Sequence, residues 1–286
     1  MQVACFIKSF QDMPLGDFCR ALYDMGIEGL DLTVRKGGVI EPADVEAKLP
    51  RAVEVVHEAG LKFLFLTTDL TEADATTDRV FGTAGQVGVD RVKLGYYRYL
   101  PFGTLHKQIA EVRTRLEAMA KLGRKHGVLP CVHIHSGTYI PSHGTLLYEL
   151  LQDMPPGEIG AYVDPLHMTL EGGGAGWQQG LDLLAPWIAL VAVKNFAYVA
   201  GDRDKSGQRR WHTETVPLAD GIAPLPTFFG MLAKLGYDGT YSLHSEYKGS
   251  HSFKDLSTQQ CLAQTAEDLT YMKSLIAAAM RESGKR

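Results

Sequence analysis

No two of the four cysteines, Cys5, Cys19, Cys131 and Cys261, lie close enough in sequence to make a CxxC pair. That excludes the common redox and zinc-ribbon motifs. Cys5 and Cys131 sit inside apolar runs and read as small buried hydrophobes, so a reduced, cytoplasmic setting is expected. No apolar stretch is long enough to span a bilayer. The apolar N-terminal run breaks at Lys8 without a basic region or cleavage site, so neither a membrane anchor nor a signal peptide is expected. Basic charge is not in excess, with 29 Lys and Arg against 33 Asp and Glu, which argues against a nucleic-acid face. No linker interrupts the composition, so residues 1–286 are expected to form one domain. The run EGGGAGW at 171–177 is not a phosphate-loop pattern and reads as a flexible turn before a helix.

What the chain has is alternation. Apolar or period-two runs at 3–7, 30–34, 63–66, 89–94, 128–133, 159–163, 188–193 and 240–246 read as strands. Helical patterns separate them, at 14–25, 42–60, 72–88, 106–126, 146–153, 181–187 and 222–235, and a last helix follows at 260–280. Strands alternating with helices imply a parallel sheet with right-handed crossovers. Eight units in a chain of about this length predict a closed (β/α)8 TIM barrel with a C-terminal closing helix. The polar stretch at 200–210 reads either as a mobile loop over the catalytic face or as a solvated, dispensable insertion.

In such a barrel chemistry sits at the C-terminal strand ends. Those ends carry Lys8; Asp31; Lys93 with Tyr96; His133 and His135; Asp164 and His167; Lys194 and Asn195; His244 and Glu246. In the segment YDGTYSLHSEYK at 237–248, Ser242, His244 and Glu246 share one face of a strand. Each group also has a plain structural reading. His133 and His135 suit backbone-bonded core histidines, and Asp164 suits a cap on the turn into Pro165. His167 suits a helix cap, Asp31 a partner for Arg35 or Lys8, and Lys194 a structural ion pair. The ring of imidazoles, carboxylates and lysines at one end is what favours a site.

The segments GIEGLDLTVR, HGVLPCVHIHSG, IGAYVDPLHM, VAVKNF, VPLADG and GYDGTYSLHSEY occur in an order and spacing that resembles the xylose isomerase-like sugar phosphate isomerase/epimerase superfamily. The resemblance covers nearly the whole chain. It implies a divalent metal held by residues at the ends of strands five to eight, and here Asp164 matches. His133 stands where that family has Glu, Ala192 where it has His, and His244 where it has Glu, with Glu246 one inward step further. The chain thus resembles a divergent branch. On this basis Zn or Mn is expected on His133, Asp164, His244 and Glu246. The expected base is Glu246 or His135, with Lys194 stabilising an enediolate. Lys8, Asp31, His167 and Asn195 are expected to bind a small sugar or sugar derivative. The implied activity is isomerisation or epimerisation by proton abstraction beside a carbonyl. The alternatives are a lyase acting on keto-sugars or oxidised glycosides and a non-catalytic sugar-binding barrel. A homo-oligomer is also implied. Type-four apurinic endonucleases share the barrel, but the larger metal-ligand set and basic face they need are not in this sequence.

Overall fold

Runs that are apolar on both faces need cover on both faces, which is how parallel strands are used. All six residues of the second strand are buried, although two of them are polar. The computed structural model of the chain describes residues 1–284. Its eight parallel strands are β1 (Gln2–Phe6), β2 (Gly29–Val34), β3 (Lys62–Thr68), β4 (Arg91–Lys93), β5 (Leu129–His133), β6 (Gly160–Val163), β7 (Ile188–Val193) and β8 (Thr240–Leu243). Each pairs with its neighbours in sequence and β8 returns to β1, closing the expected TIM barrel. The helices are α1 (Leu15–Met25), α2 (Val45–Glu58), α3 (Ala75–Gln86), α4 (Leu105–His126), α5 (Gly144–Leu151), α6 (Pro165–Leu184), α7 (Leu225–Leu235) and α8 (Thr258–Glu282).

The helices lay their apolar stripes on the outside of the barrel. In α1 the buried positions are Phe18, Cys19 and Leu22, one face of a 3.6-residue period. Gly26 ends that helix at φ 74°, a left-handed cap whose N–H reaches the carbonyls of Leu22 and Tyr23. Ser257 and Gln260 form a capping box at the start of α8. Inside the barrel, Ala4, Phe65, Cys131, Tyr162, Leu190 and Ala192 belong to a small apolar cluster. Alternation along the same strands lifts the next inward residues, among them His133, Asp164 and Lys194, to the C-terminal mouth.

Three segments differ from the sequence expectation. Residues 200–210 are not a loose loop but the tip of an antiparallel ribbon, Asn195–Arg203 paired with Arg209–Val216. Few of its residues are buried, so the pairing rests on backbone bonds that composition does not reveal. The glycine run lies within α6, which starts at Pro165 and is broken at Gly173, φ 49°, and Gly174. The last strand stops at Leu243 rather than 246. His244 N–H still reaches the Val193 carbonyl, but Glu246 N–H bonds the carbonyl of His244 at 2.9 Å, a three-residue turn that folds Glu246 over the mouth.

Asn195, expected at the substrate, sits beside Lys194 in another role. Its amide nitrogen donates to the carbonyls of Leu218 (2.9 Å) and Ala223 (3.3 Å). Its amide oxygen accepts from the N–H groups of Phe196 (2.9 Å) and Ala223 (2.8 Å). All four bonds an asparagine side chain can make are taken by backbone. Asn195→Ala should therefore destabilise the protein by about 3 kcal/mol or more, since each buried group left unpaired costs about 1–3 kcal/mol. Urea denaturation measures this, and a loss below about 1 kcal/mol would contradict the pinning role.

Candidate active site

The strand ends enclose a cavity of about 110 Å³ whose wall includes Lys8, Lys93, His135, Lys194, His244 and Glu246. Lys8 is the most exposed of these, so the cavity opens beside it. At its centre is Lys194. Its Nζ lies 3.4 Å from Asp164 Oδ2 and 3.4 Å from Glu246 Oε1. Burial alone would lower the basicity of this amine, but the two carboxylates outweigh that and raise it. Burial alone would likewise raise Glu246. The ammonium groups of Lys194 and Lys8 hold it well below the usual carboxylate range instead.

Asp164 divides its oxygens between two tasks. Oδ1 caps α6, accepting from the N–H groups of Leu166 (2.9 Å) and His167 (3.3 Å). Oδ2 faces inward to Lys194 and to His133 Nε2 at 3.2 Å. A carboxylate only accepts, so Nε2 of His133 carries the proton and Nδ1 accepts from the Tyr96 hydroxyl at 2.8 Å. A matching chain stands across the mouth. His244 Nδ1 donates to Glu246 Oε1 at 3.3 Å, and Nε2 accepts from the Tyr162 hydroxyl at 2.9 Å. Two phenol–imidazole–carboxylate chains thus meet at one ammonium.

The imidazoles are neutral. Burial, then the charge of Lys194, holds His133 and His167 well below the usual range and puts His135 at about 4. His244 is lowered by burial, against the pull of Glu246. His135 donates from Nδ1 to the Ser136 carbonyl at 3.0 Å, and Nε2 is left with a lone pair. His167 packs behind it, ring centroids 4.1 Å apart. Its Nδ1 meets Ser136 Oγ at 2.9 Å, and its buried Nε2 has no hydrogen-bond partner among the described residues.

Asp31 lies beneath the cavity rather than in its wall. It is fully buried, with Thr67 Oγ1 donating to Oδ1 (2.6 Å) and Ser242 Oγ to Oδ2 (2.9 Å). Burial pushes its carboxyl up to about 7, against those two bonds and the charges of Lys93 and Arg35. The structure therefore gathers Lys8, His133, His135, Asp164, Lys194, His244 and Glu246 around one mouth, with Asp31 below, His167 behind and Asn195 in the loop scaffold. Tyr162 was not anticipated, although it stands two residues before Asp164 and so shares its face. Phe6, packed on His244 with centroids 4.5 Å apart, was also missed, because a phenylalanine ending an apolar strand carries no signal of chemistry.

The family model described as xylose isomerase-like TIM barrel matches residues 19–275. The chain belongs to that family. Solved structures align over nearly all of it at low identity, which establishes the shared fold. One is a xylose isomerase-like TIM barrel protein from Mycobacterium smegmatis in complex with magnesium, at 15% identity and TM-score 0.68, covering 98% of this chain and 97% of that one. The 3-keto-D-glucoside 4-epimerase from E. coli aligns at 12% and 0.69, covering 96% and 99%. The probable 3-DHS dehydratase AsbF from Bacillus anthracis aligns at 16% and 0.69, covering 94% and 99%. No curated protein matches the sequence.

The raised carboxyl of Asp31 makes a pH prediction. Its folded pKa of about 7 lies above the ordinary 3.8 of an aspartate, so between these values the folded chain keeps a proton that the unfolded chain releases. Stability from this group is full below about pH 4 and is lost as pH rises to about 7. Asp31→Asn removes the dependence. The stability of wild type relative to the variant should fall by on the order of 4 kcal/mol across that window. Chemical denaturation at several pH values measures it, and a difference that stays constant would show that Asp31 is ionised throughout.

Proposed function

We propose that this protein is a sugar isomerase or epimerase that moves a proton beside a carbonyl, with Lys194 as the cation at the reacting oxygen. The carrying observation is Lys194 itself, an ammonium fixed between two carboxylates at the mouth of a cavity. The substrate class is a small keto- or aldo-sugar, in line with the epimerases of the same fold.

The expected metal does not fit this donor set. Among the described residues no three His, Cys, Asp or Glu side chains converge as a metal cluster. The space between Asp164 and Glu246 is taken by Lys194 Nζ. His133 and His244 turn both ring nitrogens to protein partners. A dication there would also stand against an ammonium.

In the mechanism this supports, the substrate carbonyl oxygen lies against Lys194. His135 Nε2 takes the proton from the adjacent carbon, and the electron pair moves onto the oxygen to give an enediolate. His135 suits the base role better than Glu246, whose two ammonium partners weaken it as a proton acceptor. Return of the proton to the other carbon or the other face gives the isomer or epimer. Elimination is a second reading, supported by the phenols of Tyr96 and Tyr162 in the cavity wall. Burial keeps both well above their usual range and so protonated, as an acid for a leaving hydroxyl must be.

Incubation with a panel of ketoses and keto-glycosides in D2O tests the reaction. Deuterium should enter the carbon beside the carbonyl, with an isomer or epimer as product. An unsaturated product one water lighter would favour elimination. Absence of both would leave a sugar-binding barrel. His135→Asn should lower exchange by roughly 10²–10⁴-fold.

Removing the cation tests the metal reading. Zinc or manganese should leave the melting temperature of the wild type unchanged, and chelator should leave its activity intact. Lys194→Ala takes the ammonium from the buried Asp164 and leaves Glu246 with Lys8 alone, and should cost about 3–5 kcal/mol. Zinc should recover part of that loss, since imidazoles and carboxylates suit it. Stoichiometric metal in the wild type, lost with its activity on chelation, would overturn this assignment.

A further inference from the structure

Three lysines line the cavity, and two of them, Lys194 and Lys93, lie in opposite surroundings. Lys194 is neutralised by two carboxylates. Lys93, at the end of β4, is 2% exposed and makes no ion pair among the described residues. Its Nζ lies 3.4 Å from the Thr68 carbonyl and 3.6 Å from the centroid of the Tyr96 ring. The face of the Tyr96 ring offsets only part of what burial costs the charged ammonium. The positive charges of Arg35 and Lys194 add to that cost, and Asp31 and Asp69 offset only part of it. Burial first, then Arg35, brings this amine down to about 7. A buried lysine beside other cations is the arrangement that frees an amine lone pair near neutral pH.

We propose that Lys93 acts as a covalent catalyst, its amine forming an imine with the carbonyl carbon of the substrate. This rests on the reading of the substrate as a carbonyl compound. The Lys93 lone pair forms the C–N bond while the C=O π pair moves to oxygen. The proton leaving nitrogen goes to that oxygen. A second proton, from solvent at the mouth beside Lys8, carries the oxygen away as water and leaves an iminium ion. The iminium then draws in the pair from the adjacent C–H bond as His135 Nε2 takes the proton. His135 is placed for this, because its ring also packs on Tyr96, centroids 4.8 Å apart. Lys194 then pairs with the neighbouring hydroxyl oxygen. Return of the proton to the same carbon on its other face restores the iminium, and addition of water then releases Lys93, so the covalent route yields the epimer.

Reductive trapping tests the proposal. The full chain is incubated with dihydroxyacetone and sodium cyanoborohydride at neutral pH, then examined by intact mass and peptide mapping. The expected result is one adduct, on Lys93, formed ahead of the exposed lysines and accompanied by loss of activity. Lys93→Arg keeps the charge but offers no neutral amine, and should lose both adduct and turnover with an unchanged circular dichroism spectrum. A purely structural lysine yields no adduct, so the wild-type result stands even if the variant fails to fold. Deuterium exchange without an adduct on Lys93, or label spread evenly over surface lysines, overturns the covalent role and leaves the isomerase reading intact. Absence of both exchange and adduct across the ketose panel overturns the two together.

Discussion

Two carboxylates cannot stay ionised side by side in a buried site without a cation between them, and here that cation is covalently part of the chain. Lys194 stands 3.4 Å from each of Asp164 and Glu246. Its charge also reaches the surrounding imidazoles, lowering the proton affinity of His133, His135 and His167 beyond what burial does. Neutral imidazoles can then accept from phenols on one side and donate to carboxylates on the other. Without the ammonium, Glu246 would be left with Lys8 alone to hold its charge.

The barrel makes this placement inexpensive. Each strand contributes one or two inward residues at its end, and adjacent strands bring those ends within hydrogen-bond reach. The scaffold around Lys194 is fixed by groups that face away from the cavity. Asn195 ties the start of the ribbon to the loop before α7, and one oxygen of Asp164 caps α6. Rigid support of this kind holds reacting groups at productive distances without itself contacting substrate.

Much of this was legible in the residues. Alternation predicted the barrel, and strand-end parity selected His133, Asp164, Lys194, His244 and Glu246 as a group. Parity gives a direction but neither reach nor partner. It could not show that the Lys194 side chain ends between two carboxylates, where a metal had been expected. Nor could it separate Lys194 from Asn195, whose neighbouring amide is consumed by backbone. Tyr162 had the right parity, yet a tyrosine within an apolar strand reads as core, and only its hydroxyl on His244 shows otherwise. The ribbon was hidden because its strands are paired by backbone and bury little.

That ribbon has a consequence for behaviour in solution. Toward its tip, beyond the bridge between Thr215 and Ser252, a two-stranded hairpin exposes strand edges that can template strand addition by a second chain. This one carries Asp202, Arg203, Arg209 and Arg210 toward its tip, all exposed. Its pairing is also interrupted by a register shift between Ala200 and Arg203. Charge and irregularity at an edge are the means by which natural sheets resist edge-to-edge association. The polar run at 200–210 thus gives the hairpin the charge and irregularity that discourage such pairing.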